Sequence, residues 1–295
     1  MRQRGACLLA GLLGVLIAAA AQTQAASAGT LRAVASISII ADLVRNVGGD
    51  RVEVAALVGP DGDPHVFSPS PGDARTLAAA IVLVNGLGLE GWMARLVGAS
   101  GTKAPTVVVS SGVTPRKMPD EDRPGRTMID PHAWQSVANA KIYIANIRDG
   151  LSAVDPAGSA VYGANAAAYL IKLDELEREI KTAAATIPPD RRKIITTHDA
   201  FGYFADAYGI KFIAPQRVAS EAEPSASDVA AIIRQIKQQK IPAVFLENIT
   251  DPRLMQEIAR ETGAKIGGTL YSDALSAPGG PAGSYIEMMR HICAP

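Results

Sequence analysis

The chain of 295 residues is long enough for one large domain or two medium-sized domains with a sizeable core. Hydrophobic residues make up 48% of it and charged residues 20%, which is typical of a soluble globular protein. Its 29 basic and 29 acidic residues balance, so the charge excess that would predict a nucleic-acid partner or an anionic membrane surface is absent from the sequence.

The first 28 residues have the pattern of a secretory signal peptide. Arg2 and Arg4 precede the apolar run ACLLAGLLGVLIAAAA, and small residues follow in QTQAASAG. Cys7 lies at the front of this run, whereas a lipoprotein cysteine would follow it, so no lipid anchor is expected. No second apolar run approaches the roughly 18 residues needed to span a bilayer. We therefore expect an exported protein with Cys293 as its remaining cysteine and no intrachain disulfide.

From residue 31 onward, short β-branched runs alternate with helix-like stretches. LRAVASIS, RVEVAALV, IVLVNG and TVVVS are predicted strands, and IIADLVRNVGG, PGDARTLAAA and LEGWMARLVGAS are predicted helices. Such alternation is typical of βαβ units with a largely parallel sheet. Residues 112–127, GVTPRKMPDEDRPGRT, are charged, aperiodic and contain prolines, which predicts an exposed loop before the helix HAWQSVANAKIYIANIRDGLSAVD.

A long helix is predicted from Asp155-Pro156, a good cap and first-turn pair, to about Thr186. Some 30 residues at 1.5 Å each make a rod of about 45 Å. Apolar side chains recur along it at spacings of three, four or seven and mark one face: Tyr162, Tyr169, Leu173, Leu176 and Ile180.

The alternation then resumes with KIITT, AFGYFADAYG, IKFIAP, SASDVAAIIRQIKQQK, AVFLE, PRLMQEIARETG and AKIGGTL, and ends in a helix near SYIEMMRHICA. The sequence thus predicts an α/β protein of two lobes, each with a largely parallel sheet flanked by helices, joined by one long linker helix. The predicted boundaries are a signal peptide at 1–28, a first lobe at 29–154, the linker helix at 155–187 and a second lobe at 188–295.

Three of the four histidines occupy one kind of position. His65, His132 and His198 each follow a predicted strand or loop and precede helical sequence, and Asp273 follows the last predicted strand in the same way. Ligands of α/β sheets gather outside the carboxyl ends of the strands, so these four side chains are expected to meet in a cleft between the lobes. Three imidazoles and a carboxylate suit a transition metal, with tetrahedral geometry in the case of zinc.

His132 follows an Asp-Pro pair, as the first histidine of the chain also does. Proline restricts its own φ and the residue before it, so the histidine leaves a stiffened backbone. We expect Pro131 to begin a helix with Asp130 as its cap. The positive end of the helix dipole would then keep the His132 ring neutral and able to bind metal. Three carboxylates are candidates to orient a ligand ring: Asp63, Asp130 and Asp199.

Each of these histidines taken alone is more often a surface or capping residue than a metal ligand, and the shared position of all four side chains is what favours a site. His291, on the terminal helix, is interpreted as a surface residue, and Cys293 as a bystander. Glu247 ends the predicted strand AVFLE, where a structural or ring-orienting role is favoured over ligation. Trp92 and Trp134 are interpreted as core or lobe-packing residues.

At these residues the chain closely resembles the zinc/manganese-binding solute receptors of bacterial ABC importers, the ZnuA/TroA-like family. The resemblance covers essentially all of the mature chain. It is carried by VASISIIADLVRNVGGDRVEVAALVGPDGDPHVFSPSP, MIDPHAWQSVANA, ITTHDAFGYFADAYGI and FLENITDPRLMQEIARETGAKIGGTLYSDALS. It implies that the metal ligands are His65, His132, His198 and Asp273, and that the linking helix limits hinge motion.

The resemblance also implies a periplasmic receptor with an inner-membrane ABC permease as its partner. A periplasmic metallochaperone is a further candidate partner, no nucleic acid is expected, and the receptor is expected to be monomeric.

Departures from the family pattern bear on the metal. Zinc members often carry a long histidine-rich loop between the first two ligands, whereas residues 112–127 are a short stretch without histidine. Some members have a carboxy-terminal disulfide, which this chain is not expected to form. Manganese-preferring members commonly have glutamate at the third ligand position, where this chain has His198. The resemblance therefore implies Zn²⁺ as the transported ligand, with Mn²⁺ as the alternative.

Two other functional classes are less compatible with these residues. A secreted zinc hydrolase needs an open, water-bearing coordination position and a general base, for which four protein ligands leave little room. An adhesin or structural surface protein needs no metal cluster, and the expected lack of a lipid anchor weakens that hypothesis further. We therefore expect a receptor and not an enzyme.

Overall fold

The computed structural model describes residues 30–119, 125–215 and 225–293. The predicted signal peptide, with Cys7, lies outside the described residues, and so does part of the predicted loop 112–127. In the ranges that are described, no helix is both long enough and apolar enough to cross a bilayer.

The first lobe contains, among its described residues, a four-stranded parallel sheet in the order β2-β1-β3-β4. Its strands in chain order are β1 (Leu31–Ile37), β2 (Val52–Val58), β3 (Ile81–Val84) and β4 (Thr106–Val108). The helices between them are α1 (Ser38–Gly48), α2 (Pro71–Thr76) and α3 (Met93–Ser100). The strand β3 is buried on both faces, as expected for a parallel strand covered by helices on either side.

The predicted loop 112–127 includes parts of a small antiparallel hairpin. Strand β5 (Lys117–Pro119) pairs with β6 (Thr127–Ile129). Met118 in this hairpin is buried, whereas Met128 opposite it is 37% exposed. The prediction of an aperiodic loop was wrong at these positions, because strands of three residues are too short to show an alternating pattern.

Helix α4 (Val137–Val154) begins five residues later than the sequence predicted. A 3-10 turn, Ala133–Gln135, comes first, and Ser136 after it is extended, with φ −110° and ψ 125°. His132 therefore precedes a separate short turn and not the first turn of the α-helix.

The linker helix α5 (Ser159–Thr186) has 28 residues, which corresponds to about 42 Å. Asp155 accepts a hydrogen bond from the backbone N–H of Gly158 and caps the 3-10 turn that leads into the helix. The predicted apolar face is buried along its length: Tyr162, Tyr169, Leu173, Leu176 and Ile180. These side chains belong to an apolar cluster that extends into both lobes, so packing holds the linker along its length.

The second lobe contains a four-stranded parallel sheet within the described chain, in the order β10-β9-β7-β8. Its strands are β7 (Lys193–Ile195), β8 (Lys211–Ile213), β9 (Ala243–Glu247) and β10 (Lys265–Leu270). Its helices are α6 (Gly202–Tyr208), α7 (Ala226–Gln239), α8 (Arg253–Thr262) and α9 (Tyr285–Ile292). The predicted fold class, two parallel α/β sheets joined by a long helix, is confirmed; the lobe boundaries 29–154 and 188–295 stay a prediction.

The terminal helix α9 returns to the first lobe. The backbone N–H of Tyr285 donates to Asp42 Oδ2 of α1 at 2.9 Å, and the Tyr285 hydroxyl donates to the carbonyl of Trp134 at 2.8 Å. In the loop before α9, the N–H of Leu275 donates to Ser38 Oγ at 3.0 Å. These bonds join the lobes at a second place beside the linker, close to the loops that carry the candidate ligands.

Candidate metal centre

Four side chains from four loops converge between the two sheets. The donor atoms of His65, His132, His198 and Asp273 all lie within 4.8 Å of one another. The Nε2 atoms of His65 and His132 are 3.2 Å apart. The Asp273 carboxylate lies 3.0 Å from His198 Nε2, 3.3 Å from His132 Nε2 and 3.4 Å from His65 Nε2. The structure thus brings together all four predicted ligands.

Three of these residues lie where the strand-end argument places them. His65 follows β2, His198 follows β7 and Asp273 follows β10, each in the loop after the carboxyl end of a parallel strand. His132 is different, because it follows β6 of the small hairpin and not a strand of either parallel sheet. Its loop is held to the first lobe by buried Asn85, whose Nδ2 donates to the carbonyl of Pro131 at 2.9 Å.

The candidate site is almost closed to solvent. The side chains of His132, His198 and Asp273 are fully buried, and that of His65 is 7% exposed. A cavity of about 460 Å³ lies beside His65, and Trp92 is part of its lining. A small ion can therefore approach from the His65 side.

The Asp273 carboxylate has the surroundings of a cation ligand. Neither of its oxygens receives a well-formed hydrogen bond from the described residues, although both are buried and face three ring nitrogens. An ionised carboxylate buried without such partners is costly unless a cation compensates it. Burial by itself raises the pKa of Asp273, but His132 and His198 outweigh it and hold the pKa well below its usual range. The carboxylate is therefore charged at neutral pH.

Asp130 orients the His132 ring. Its Oδ1 accepts a hydrogen bond from the backbone N–H of His132 at 3.0 Å and lies 2.8 Å from the ring Nδ1. A proton fixed on Nδ1 leaves the Nε2 lone pair for a metal. Of the three carboxylates predicted to orient a ligand ring, Asp130 has this role. Asp63 Oδ1 instead accepts from the backbone N–H of His65 at 2.8 Å.

The prediction that Pro131 begins a helix capped by Asp130, with His132 in its first turn, was wrong. Asp130 does not cap an α-helix begun by Pro131, and the carboxylate turns to the imidazole. Burial lowers the pKa of His132, but Asp273 and Asp130 outweigh it, so the pKa is raised above its ordinary value. Without a metal, the nearby carboxylates thus favour protonation of this ring, which is opposite to the effect expected from a helix dipole.

Glu247 orients the His198 ring. Its Oε1 accepts hydrogen bonds from the N–H groups of Thr197 at 2.7 Å and His198 at 2.9 Å, while Oε2 lies 2.5 Å from His198 Nδ1. Burial lowers the pKa of His198, but Glu247 and Asp273 together raise it well above its ordinary value. The ring-orienting role considered for Asp199 is thus carried out by Glu247, at the end of β9.

Both tryptophans are buried, and each also holds a ligand loop with its indole N–H. Trp92 Nε1 donates to the carbonyl of Pro64 at 2.9 Å, next to His65. Trp134 Nε1 and Gln135 Nε2 donate to the carbonyl of Ser272, at 2.9 and 2.8 Å. Sequence reasoning missed Gln135 and Ser272, because polar residues beside a ligand carry no periodic signal.

The fourth histidine lies apart from this cluster. His291 is half-buried, its Nε2 lies 2.9 Å from the carbonyl of Thr269, and its ring packs against Tyr271. Part of this side chain is exposed, as predicted for a surface residue, but α9 also turns its ring towards the end of β10. Cys293 is free and half-buried, and burial raises the pKa of its thiol to about 11.

Comparisons with known proteins point to one family. The family model "Zinc-uptake complex component A periplasmic" matches residues 33–294. The manganese-binding lipoprotein MntA of Halalkalibacterium halodurans is 36% identical over 262 residues, covering 88% of this chain and 85% of the relative. The iron-binding protein YfeA of Yersinia pestis is 34% identical, covering 88% and 83%. The solved periplasmic zinc-binding protein TroA of Treponema pallidum has a TM-score of 0.84 at 30% identity, covering 90% of this chain and 97% of that one.

Proposed function

We propose that this chain is the zinc receptor of an ABC importer. It belongs to the family whose model it matches over residues 33–294, and relatives in this family are named substrate-binding lipoproteins of metal ABC transporters. Members of this family are solute-binding receptors and not enzymes. The chain therefore binds a divalent metal ion and presents it to a membrane permease. The metal ion is its cargo and not a resident cofactor.

The observation that carries this proposal is the buried Asp273 carboxylate facing the Nε2 atoms of three histidines. Asp130 and Glu247 hold the Nδ1 side of two of these rings, which leaves the Nε2 lone pairs for the ion. We propose His65, His132, His198 and Asp273 as the ligands of one metal ion per chain.

Zinc is the metal that this donor set favours. Imidazole suits Zn²⁺, and three nitrogens with one carboxylate oxygen make a complete tetrahedral shell. The intrinsic affinity of such a site for Mn²⁺ is lower, because Mn²⁺ is the weakest binder in the Irving–Williams order.

Manganese is the second candidate, and a feature of Asp273 favours it. Oδ1 faces His132, whereas Oδ2 faces His65 and His198, so both oxygens are directed into the cluster. A bidentate carboxylate would raise the coordination number above four and add oxygen, which Mn²⁺ prefers. The relatives named for manganese, MntA and PsaA, are in keeping with this alternative.

Metal analysis of the purified protein, followed by competitive titration with Zn²⁺ and Mn²⁺, tests the proposal. We expect one ion per chain and tighter binding of Zn²⁺. A ligand that binds only the folded state adds about 2.7 kcal/mol of stability at a hundredfold excess over its Kd. Zinc should therefore raise the melting temperature of the wild type and of His291→Ala, the matched control, but much less that of His132→Ala. An equal rise in all three proteins would contradict the proposed ligands.

We further propose a periplasmic, unanchored protein that is monomeric and partners an inner-membrane permease, with a metallochaperone as an optional donor of metal. Several relatives are named lipoproteins, so the lack of an anchor is tested directly by labelling cells with radioactive palmitate and fractionating them. Palmitate incorporated into the chain would overturn it. Radioactive zinc uptake, compared in cells with and without the chain, tests delivery to the permease.

A further inference from the structure

A buried carboxylate beside the metal centre is held from the second lobe. Asp130 is fully buried, and while its Oδ1 serves His132, its Oδ2 lies 3.2 Å from Arg116 Nη1. The same guanidinium uses Nε to contact Asp206 Oδ2 on α6 at 3.1 Å. Arg116 thus joins the carboxylate that orients His132 to a helix of the other lobe.

The backbone is held at the same place. The Tyr203 hydroxyl on α6 accepts a hydrogen bond from the N–H of Arg116 at 2.8 Å and donates one to the carbonyl of Asp130 at 3.1 Å. The main chain of both residues is therefore bonded to α6, and the side chain of Arg116 contacts α6 as well.

Gly202 shows how closely α6 approaches this pair. A Cβ at this position would overlap the Arg116 guanidinium and would lie 2.6 Å from Asp130 Oδ2. A side chain at residue 202 must therefore displace both the guanidinium and the fully buried carboxylate oxygen. The close contact between the lobes here requires glycine.

We propose that Arg116 is a positioning residue of the metal centre, which ties Asp130 to α6 and thereby sets how long a bound ion stays. This inference rests on the proposed metal-binding function and goes beyond it. The Arg116 side chain is 27% exposed, so water can replace its contacts when the lobes shift, whereas Asp130 has no such access. Loss of the contact between Arg116 and Asp130 frees the His132 ring but does not alter the approach of an ion beside His65. Release of the bound ion is therefore accelerated, whereas its association rate is unchanged.

The test measures release of Zn²⁺ into excess chelator by stopped flow. Partners that orient a metal ligand typically contribute 10- to 100-fold in affinity. We expect release to be about tenfold faster in Arg116→Gln and in Gly202→Ala, with an unchanged association rate. The double variant should release at nearly the rate of either single variant, because both changes break one contact. Arg116→Lys should be intermediate, since an ammonium cannot hold both carboxylates in the fork geometry.

The matched control is Arg148→Gln, which removes an exposed ion pair with Asp149 outside the site; its release rate should stay within about twofold of the wild type. Visible absorption of the Co²⁺-loaded variants should keep the wild-type band positions, since all four ligands remain. If Arg116→Gln does not fold, Asp206→Asn decides, because it changes an exposed carboxylate and should still accelerate release about threefold.

The outcomes separate the two proposals. A wild type that binds no divalent metal would overturn both. If the wild type binds one ion tightly and the Arg116→Gln and Gly202→Ala variants release it at the wild-type rate, only the positioning role of Arg116 is overturned. Faster release that the control shares equally would also overturn it.

Discussion

Replacing Glu247 by glutamine removes one charge and one acceptor from the partner of His198. In the structure, Oε1 of Glu247 receives two backbone N–H groups, of Thr197 and His198, and Oε2 faces His198 Nδ1. A glutamine that keeps its oxygen on the backbone groups must turn its NH₂ towards Nδ1. Two donors then oppose each other, unless the proton of the ring moves to Nε2, where it would block a metal bond.

We therefore expect Glu247→Gln to lose Zn²⁺ affinity near the upper end of the 10- to 100-fold range typical of ring-orienting partners, or about 2–2.7 kcal/mol. If the amide turns the other way, it leaves two buried backbone donors without an acceptor, which has a cost of similar size. Neither rotamer of the amide restores the wild-type pattern.

The loss should depend on pH in a defined direction. Glu247 is a main cause of the raised pKa of His198, so its neutralisation lowers that pKa in the metal-free protein. Protons then compete with the metal only at lower pH in the variant than in the wild type. The ratio of the variant Kd to the wild-type Kd should consequently be largest at about pH 8 and should decrease towards about pH 6.

Competition with a chromogenic zinc chelator at several pH values measures this ratio. Glu179→Gln is the matched control, since Glu179 is an exposed carboxylate paired with Arg290 far from the cluster. An affinity of Glu247→Gln within about threefold of the wild type, at every pH, would refute the claim that this carboxylate orients the ring.

Three further results are expected. The Kd of the wild type for Zn²⁺ should rise as the pH falls from about 7.5 to about 5.5, because the pKa values of His132 and His198 are raised in the metal-free protein and protons compete for these rings; a constant Kd would exclude imidazole ligation. His198→Glu should narrow the preference for Zn²⁺ over Mn²⁺ by adding an oxygen donor, and an unchanged ratio in competition titrations would mean that this ligand does not set the metal. Leu173→Ala, in the buried face of α5, should cost about 2–5 kcal/mol in urea unfolding, whereas Ile171→Ala, 62% exposed on the same helix, should stay within about 0.5 kcal/mol; similar losses would refute the packed linker.

The features that depend on local pattern could be predicted from the sequence. Alternating runs predict the two parallel sheets, because a parallel strand and its crossover helix each have a characteristic period and length. The apolar face of α5 is likewise visible in the spacing of Tyr162 and its successors. The positions of the four candidate ligands also follow from local order, since each comes at the end of a predicted strand or loop.

The pairing of carboxylates with imidazole rings could not be predicted in this way, because it depends on how the loops pack against each other. Asp130 and Glu247 orient His132 and His198 because the loops place them there, whereas the helix-start rule suggested a different geometry for Asp130. The contacts of Arg116 with α6 and of α9 with the first lobe join residues about 90 and more than 200 positions apart. Local periodicity holds no information about such pairs, because their free energy depends on the packing of two whole lobes.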